Sequence, residues 1–351
     1  MVKVKIIGAG GYGGSGLLEL LARHPQARVT GVIDVADVGK PISFVLAHLK
    51  EYYDLIITSP DDPKNFEDVD VVFFATPDGV GMGGAKPYLE KGIKVIDFSG
   101  DFRFNNSHDY SLYAKTIGRD PDHKSPDLLA DSMYGMAELH RDELKKVNIV
   151  GNPGCFATSC ILGFAPAVKY DLVTHDTFIC DCKTGVSGAG KKPSAGFHYP
   201  SRYDNMNAYK LSGHQHVFEI KRELQLVGKR DVSLVFTPQV VPLCRGIMST
   251  LYAKIKPGVT KDTILESYRE FYKNEPFVRV FTPDETVSTS WVRGTNFCYL
   301  TVKVDVESSL LLVISHIDNL VKGQAGSAVQ CMNVLFGLDE KLGLNLPPMY
   351  P

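Results

Sequence analysis

The chain has 351 residues, 44% of them apolar and 22% charged, with a formal net charge of −2 at pH 7. That length suits two domains with sizeable cores, and the composition is that of an ordinary globular protein. The near-neutral charge argues against nucleic acid or an anionic membrane as the main partner, and no apolar run reaches the roughly 18 residues that span a bilayer.

The seven cysteines show no repeated spacing, which argues against a disulfide framework and fits a reducing, cytoplasmic setting. Met1 leads directly into a strand, leaving no room for a signal or transit peptide. Residues 3–7 read as that strand, and Gly8-Ala9-Gly10-Gly11-Tyr12-Gly13 follows at once. Next come leucines at helical spacing over 15–23 and a second strand over 28–33. A dinucleotide fingerprint requires this order, because the glycines allow a tight turn and let a pyrophosphate approach the helix N-terminus. A merely glycine-rich turn is the alternative. Asp34 closes the second strand, where a carboxylate accepts the ribose 2′-hydroxyl of NAD and repels the 2′-phosphate of NADP. A loop or capping aspartate would look the same.

Residues 69–75 and 93–99 read as further buried strands. Alternating strands and helices predict a doubly wound parallel sheet. Ligands bind beyond the carboxyl ends of such strands, so the loops at 76–81 and 99–103 are expected to face cofactor or substrate. Arg103 offers a guanidinium for an anionic substrate, or a surface ion pair. Residues 105–146, richer in His, Asp, Ser and Pro, read as a long connecting excursion.

A short buried strand over 147–150 then leads into Gly151-Asn152-Pro153-Gly154-Cys155 and an apolar stretch that reads as a helix. Asn-Pro-Gly is a turn signal, so Cys155 is expected where strand turns into helix. There the unpaired N–H groups and the helix dipole favour an anion, and a thiol becomes partly thiolate and nucleophilic. A buried structural cysteine is the alternative. Beyond it, longer strands over 177–182, 232–236, 249–255 and 299–304, with a helix over 262–272, predict an α+β domain on a largely antiparallel sheet. A last helix over 325–336 is expected to pack back onto the first domain. Cys180 and Cys182 share a strand face but lack the second ligand pair of a zinc site, and no metal is predicted.

The loop Gly185-Val186-Ser187-Gly188-Ala189-Gly190-Lys191-Lys192 could clasp a phosphate or carboxylate with backbone N–H groups, or be a flexible surface turn. His214 and His216 stand with Glu219 at the opening of a helix. Residues two apart do not share a helical face, so one histidine is expected to be structural and the other to serve as general acid and base beside the thiolate. Arg245 is a second loop arginine. Nucleotide fold, helix-start cysteine and histidine form one set: thiolate attack on an activated acyl group gives a thioester, and a nicotinamide hydride reduces it to an aldehyde.

Seven stretches, in order across nearly the whole chain, carry a family resemblance. They are residues 8–13, 95–103, 151–155, 187–193, Gly213-His214-Gln215-His216 with Glu219, 236–238 to 245–247, and 318–323. On these the chain resembles the N-acetyl-gamma-glutamyl-phosphate reductases, arginine-pathway relatives of aspartate-semialdehyde dehydrogenase. The resemblance implies a Rossmann-type dinucleotide-binding domain of residues 1–151 with 325–351, and a catalytic, substrate-binding and oligomerisation domain of 152–324. It implies Cys155 as nucleophile and His214 as acid/base. Arg103, Asn152, Ser187, Gly188, Arg245 and Glu219 are expected around a small acyl phosphate. Gly8, Gly10, Gly11, Tyr12, Gly13, Asp34, Pro77, Ser99, Gly188 and Asn319 are expected around NADP, and the subunits in a homodimer or homotetramer. Two departures stand out: Phe156-Ala157 where the family commonly has Tyr-Pro, and Asp34-Val35 where a Ser-Arg pair would hold the 2′-phosphate, so NAD use is also open. Carrier-bound aminoadipyl phosphate and aspartyl phosphate remain alternative substrates, and a nucleotide-sensing protein that kept the fold is the non-enzyme alternative.

Overall fold

The computed structural model describes residues 1–349 of the 351. It divides into two compact units, one joining Met1–Pro153 to Gln324–Leu346 and the other built on Gly154–Gly323. The first unit holds β1 (Val2–Ile7), β2 (Ala27–Ile33), β3 (Ile57–Thr58), β4 (Val71–Phe74), β5 (Lys94–Asp97), β6 (Ser132–Tyr134) and β7 (Ile149–Gly151). They form one sheet in the order β3-β2-β1-β4-β5-β7-β6, with every pairing parallel. All four residues of β4 are buried, as expected where helices cover both faces of a parallel sheet. The chain order reverses between β1 and β4, where Ile7 pairs with Phe74. Gly8 and Ala75 therefore leave the sheet side by side at the point where such folds bind ligands.

The helix Tyr12–Leu21 follows the glycine turn, and the C-terminal helix Gly326–Leu335 packs against it and against Ala137–Leu144. Residues 105–146 are more ordered than a connecting excursion. They contain the helix Ser107–Thr116, the edge strand β6 and the helix Ala137–Leu144. The first of these is capped by Asn106, whose side chain accepts the Asp109 N–H, and it buries only Tyr110, Tyr113 and Ala114. A stripe that narrow gives little periodic signal.

The second unit holds β8 (Val173–Thr184), β9 (Asn207–Ala208), β10 (Leu234–Val240), β11 (Ile247–Ile255), β12 (Val278–Phe281), β13 (Cys298–Asp305) and β14 (Leu310–Ile317). Their order is β12-β13-β14-β11-β8-β10-β9. The β12–β13 and β8–β10 pairings are parallel and the rest antiparallel. Two features differ from the sequence reading. Strand β10 lies further along the chain than 232–236 and runs through Pro238. It tolerates a residue without an N–H donor because its outer neighbour, β9, pairs only with Gln239 and Val240. Strand β14 was not anticipated, since Leu310-Leu311-Leu312-Val313-Ile314 lacks the alternation that marks a strand.

The centre of this unit is the helix Cys155–Lys169, buried at every position from Phe156 to Val168. It packs on β11, β14 and β8 and against the helices His216–Gly228 and Lys261–Tyr272. Gly163 lets it approach the sheet, because a Cβ there would lie 2.2 Å from Leu251 Cδ1. Pro166, inside the helix, cannot donate to the Leu162 carbonyl. The Tyr272 hydroxyl donates to that carbonyl instead, which explains how a proline is tolerated in a buried helix.

Candidate active site

At the carboxyl edge of the first sheet, Gly8 has φ +81° and a Cβ there would lie 2.5 Å from the Ala75 carbonyl oxygen. Only glycine fits. Gly11 caps the following helix without a side-chain bond, so no side chain covers the first-turn N–H groups that a helix leaves unbonded. Tyr12 is exposed and Gly13 is buried, with Phe98 3.1 Å from the place of a Cβ. Asp34 Oδ2 accepts the Gly10 N–H at 3.0 Å, and its Oδ1 accepts the Val35 N–H at 2.8 Å. The carboxylate thus ties the glycine turn to the end of β2.

Three buried oxygens near this edge have no hydrogen-bond partner: Thr76 Oγ1, Asn152 Oδ1 and Gln324 Oε1. Thr76 touches Gly8 and Gln324 touches Gly13 at their Cβ positions, and Asn152 Nδ2 donates to the Gln324 carbonyl at 3.0 Å. An unsatisfied buried polar atom is unfavourable by about 1–3 kcal/mol, so a ligand bearing amide and hydroxyl groups would stabilise this edge. The glycine cradle and these oxygens fit a nicotinamide dinucleotide. Pro77 lies exposed in the next turn. Thr76 opens the loop 76–81 expected to face cofactor or substrate, but sequence reasoning singled out neither it nor Gln324, since nothing local marks a polar side chain as unpartnered.

Ser99 and Arg103 are buried. The Ser99 N–H and hydroxyl both donate to Asp97 Oδ1. Arg103 is only 6% exposed; its Nε donates to the Asn152 carbonyl at 2.8 Å and its Nη2 to the Phe98 carbonyl at 2.7 Å. Its burial rules out a surface ion pair, and through Nε and Nη2 the guanidinium braces two backbone carbonyls. A buried guanidinium requires such acceptors.

In the second unit, Cys155 is the first residue of its helix and Gly154 the cap, with φ −70° and ψ 146°. A Cβ on Gly154 would lie 2.2 Å from His216 Nε2, so the imidazole lies directly over the cap. Glu219 is fully buried and its Oε2 accepts the Gly154 N–H at 3.1 Å. Through that oxygen it supports the nucleophile turn from inside. On another side, a Cβ on Gly323 would lie 2.7 Å from Cys155 Cβ, so bare backbone lies against the cysteine.

His214 and His216 are both buried, with ring centroids 4.7 Å apart. The helical-face argument against this pairing fails because the helix begins at His216. His214 stands in the preceding turn, with its Nδ1 accepting the His216 N–H at 3.2 Å. Its single proton therefore sits on Nε2. Burial first, then His216 and Lys210, push the His214 imidazole down to about 2, so it is neutral and able to accept a proton. Phe236 and Tyr209 complete its surroundings, at ring-centroid distances of 5.0 and 5.7 Å. Tyr209 is a further residue the sequence did not announce; burial, then the nearby Cys155, push its phenol above the ordinary range.

The small-residue loop differs from an N–H clasp. The N–H groups of Gly185, Val186 and Ser187 donate to the carbonyls of Gly246, Leu243 and Cys244, and those of Gly188 and Gly190 stay within the loop. Asn319 locks this loop to the next: its Nδ2 donates to Ser187 Oγ at 2.9 Å and its Oδ1 accepts the Gly246 N–H at 2.7 Å. Arg245 lies 3.1 Å from the fully buried Asp318 carboxylate, with its own side chain 26% exposed. The structure thus gathers Ser187, Gly188, Arg245 and Asn319 in one loop cluster, and Cys155, His214 and Glu219 around one turn. Among the described residues, no group of three His, Cys, Asp or Glu stands ready to hold a metal ion, and no helix is long and apolar enough to cross a membrane. All seven cysteines are free thiols.

Comparison with known proteins completes the picture. Residues 3–147 match the family described as "Semialdehyde dehydrogenase, NAD binding domain" and residues 155–319 the one described as "Semialdehyde dehydrogenase, dimerisation domain". The N-acetyl-gamma-glutamyl-phosphate reductase of Methanocaldococcus jannaschii is 44% identical over 348 residues, covering 98% of each chain. That of Thermoanaerobacter sp. strain X514 is 40% identical over 351 residues, covering all of both. Among solved structures, aspartate semialdehyde dehydrogenase II of Vibrio cholerae superposes with a TM-score of 0.72 at 16% identity, over 95% of this chain and 98% of that one. The Candida albicans aspartate semialdehyde dehydrogenase, solved with NADP, gives 0.66 at 15% identity, over 96% and 98%. These structural likenesses share the fold.

Proposed function

We propose, for a chain that belongs to the N-acetyl-gamma-glutamyl-phosphate reductases within the semialdehyde dehydrogenase family, the following course of reaction. The enzyme is an NAD(P)-dependent oxidoreductase of arginine biosynthesis, and its substrate is N-acetyl-glutamyl 5-phosphate. The Cys155 thiolate attacks the acyl carbon, the acyl–oxygen bond breaks, and phosphate leaves with a thioester in its place. The reduced nicotinamide would supply a hydride to the thioester carbon; with it the C–S bond breaks, and the 5-semialdehyde departs as the Cys155 thiolate re-forms and takes up a proton.

His214 takes the thiol proton at Nδ1, which gives up the His216 N–H as it does so while Nε2 keeps its own hydrogen, and it returns that proton later. Burial and His216 oppose charge on that imidazole, so the cation is favourable only with the sulfur anion beside it. Arg245 supplies positive charge to the substrate's anionic groups, with Ser187 and Gly188 shaping the loop around it. Asn152, Thr76 and Gln324, with Gly8, Gly10, Gly11, Tyr12, Gly13, Pro77 and Ser99, would hold the dinucleotide, whose amide and hydroxyl donors would satisfy the three orphan oxygens. Asn319 fixes the Ser187 loop through Ser187 and Gly246. NADPH is the donor, and Asp34 makes NADH acceptable as well, since its carboxylate stands where a 2′-phosphate would otherwise meet a cation.

The observation that carries this reading is a cysteine opening a buried helix, with a neutral buried histidine in the turn that supports it. The test is a substrate panel run in the oxidative direction with and without phosphate. Phosphate-dependent reduction of NADP by N-acetyl-glutamate semialdehyde, much above that with aspartate semialdehyde, is expected; turnover of aspartate semialdehyde alone would overturn the substrate assignment.

The second unit also serves to join subunits into a homodimer or homotetramer, in the cytoplasm, where its free thiols stay reduced. The outer face of its sheet carries half-exposed Ile179, exposed Val235 and a hollow of about 360 Å³ lined by Thr177, Ile179, Tyr252, Ala253, Lys254 and Leu310. A second copy covers this face; Ile179→Lys should shift the mass measured by light scattering toward the monomer, and an unchanged mass overturns the placement.

A further inference from the structure

Asp97 ends β5 and is fully buried. Its Oδ1 accepts the Ser99 N–H at 2.8 Å and the Ser99 hydroxyl, while Oδ2 has no hydrogen-bond donor. Asp101, also fully buried, accepts the Gly79 and Met82 N–H groups at 2.9 Å. Both carboxyl groups converge on Gly81: a Cβ there would lie 2.1 Å from Asp97 Oδ2 and 3.4 Å from Asp101 Oδ2. Only a glycine leaves them room to approach. The two aspartates belong to the loop 99–103 and its strand, and the donors to Asp101 belong to the loop 76–82, so the pair is the joint between the two loops.

Two anionic carboxylates cannot share such a buried place. We propose that Asp97 is a positioning residue that works as a neutral acid, holding the one proton of the buried pair it makes with Asp101 and so locking the 76–82 and 99–103 loops in the arrangement that receives the dinucleotide. The link to the dinucleotide rests on the cofactor reading above; the proton of the pair does not. Burial raises Asp101 too, but two backbone N–H groups oppose that rise, so Asp101 is the member that ionises first. Asp97 keeps the proton, since its Oδ2 has nothing else to accept from. Burial first and Asp101 second hold Asp97 well above the ordinary carboxylate range.

The surrounding charged and titratable groups agree with one proton in the pair. Asp78 accepts the Gly100 N–H at 2.7 Å and is itself paired with Arg119 at 3.5 Å. His123, bonded through Nε2 to the Asp101 carbonyl at 3.0 Å, is held neutral by burial. Arg103 lies near enough to favour charge on Asp97, but its Nε and Nη2 are directed to backbone carbonyls. The Tyr110 hydroxyl donates to Met82 Sδ and stays protonated, its value pushed up to about 12 by burial.

Asparagine at 97 reproduces the neutral acid: its carbonyl takes the Ser99 donors and its NH₂ donates to Asp101. Alanine does neither. The experiment is the cofactor KM of wild type, Asp97→Asn and Asp97→Ala between pH 7 and about 9, with infrared difference spectra of aspartate-labelled protein, which needs no variant. Wild type should show a protonated-carboxyl band at pH 7 that fades toward high pH, with a cofactor KM that rises about tenfold over the same range. Asp97→Ala should raise KM about tenfold at pH 7, and Asp97→Asn should restore it and make it independent of pH. Absence of the band at pH 7 overturns the proton of the pair. The band with a pH-independent wild-type KM, or with no rescue by Asp97→Asn, overturns the positioning role. The band in a protein that turns over with neither NADPH nor NADH refutes the cofactor reading and leaves the proton intact.

Discussion

The Oε2 of Glu219 accepts the backbone N–H of Gly154, 3.1 Å away, so a fully buried carboxylate holds the residue immediately before the nucleophile. A charged acceptor makes this bond about twice as strong as a neutral one. Glu219→Gln keeps the shape and loses the charge. It should lower kcat by about tenfold (1.4 kcal/mol) with little change in substrate KM. Glu219→Ala leaves the N–H unpaired and should lower it further. A large KM effect with unchanged kcat would return Glu219 to the substrate.

The same turn predicts that Gly154 admits no side chain. An alanine Cβ would lie 2.2 Å from His216 Nε2, so either the imidazole or the start of the helix must move. Gly154→Ala should be folded but destabilised by about 1–3 kcal/mol, with kcat reduced at least as much as in Glu219→Gln. Thermal unfolding and steady-state kinetics on one preparation check both.

Tyr272 stabilises the nucleophile helix from the far side, giving Leu162 the donor that Pro166 cannot. Tyr272→Phe removes that donor with almost no change in volume and should destabilise by about 1–3 kcal/mol, read as a lower Tm. Tyr272→Phe with Pro166→Ala should recover much of the loss, because the alanine N–H restores the helical bond. A single variant as stable as wild type would show that the carbonyl needs no partner.

His316 makes stability depend on pH. Burial pushes it down to about 4, against about 6.5 in an unfolded chain. The unfolded state therefore binds more protons below pH 6.5, and the stability due to neutral His316 is lost as pH falls from about 6.5 to 4. The loss amounts to about 3 kcal/mol. His214, pushed lower still, loses stability over the same window, so His316→Asn should make the fall in unfolding free energy shallower without abolishing it; an unchanged slope would place the titration elsewhere.

The proposed use of NADH turns on Asp34. With its carboxylate fixed to the Gly10 and Val35 N–H groups, NADH should give a kcat/KM within about tenfold of NADPH. Asp34→Ser with Val35→Arg should raise the NADPH preference by at least about tenfold. A wild-type preference for NADPH of hundreds-fold would contradict the argument from the carboxylate.

Legibility in the sequence followed the range of the interactions. Strands β1, β4 and β5 and the glycine turn could be read because buried parallel strands and a tight βα turn write themselves into consecutive residues. Strand β14 could not, since its run of leucines lacks alternation, and the helix Ser107–Thr116 buries too few side chains to show a period. Cys155 stood out by its turn. What surrounds it did not: Glu219 and His216 reach Gly154 from another helix, and Tyr209 approaches from a loop. Arg103 reads as a ligand for an anion or a surface ion pair in any local window, and the two carbonyls it braces become visible only in the fold. The two histidines were set apart by a spacing rule that holds within helices, whereas the helix starts between them.

The central claim is a thioester on one sulfur. The most direct measurement is peptide mass spectrometry after mixing the enzyme with N-acetyl-glutamate semialdehyde and oxidised cofactor in the absence of phosphate, which traps the acyl group. The account predicts an N-acetyl-glutamyl adduct on the peptide containing Cys155, removed by added phosphate and absent from Cys155→Ser. A turnover-competent enzyme that carries no adduct on Cys155, or a Cys155→Ser variant at the wild-type rate, would contradict it.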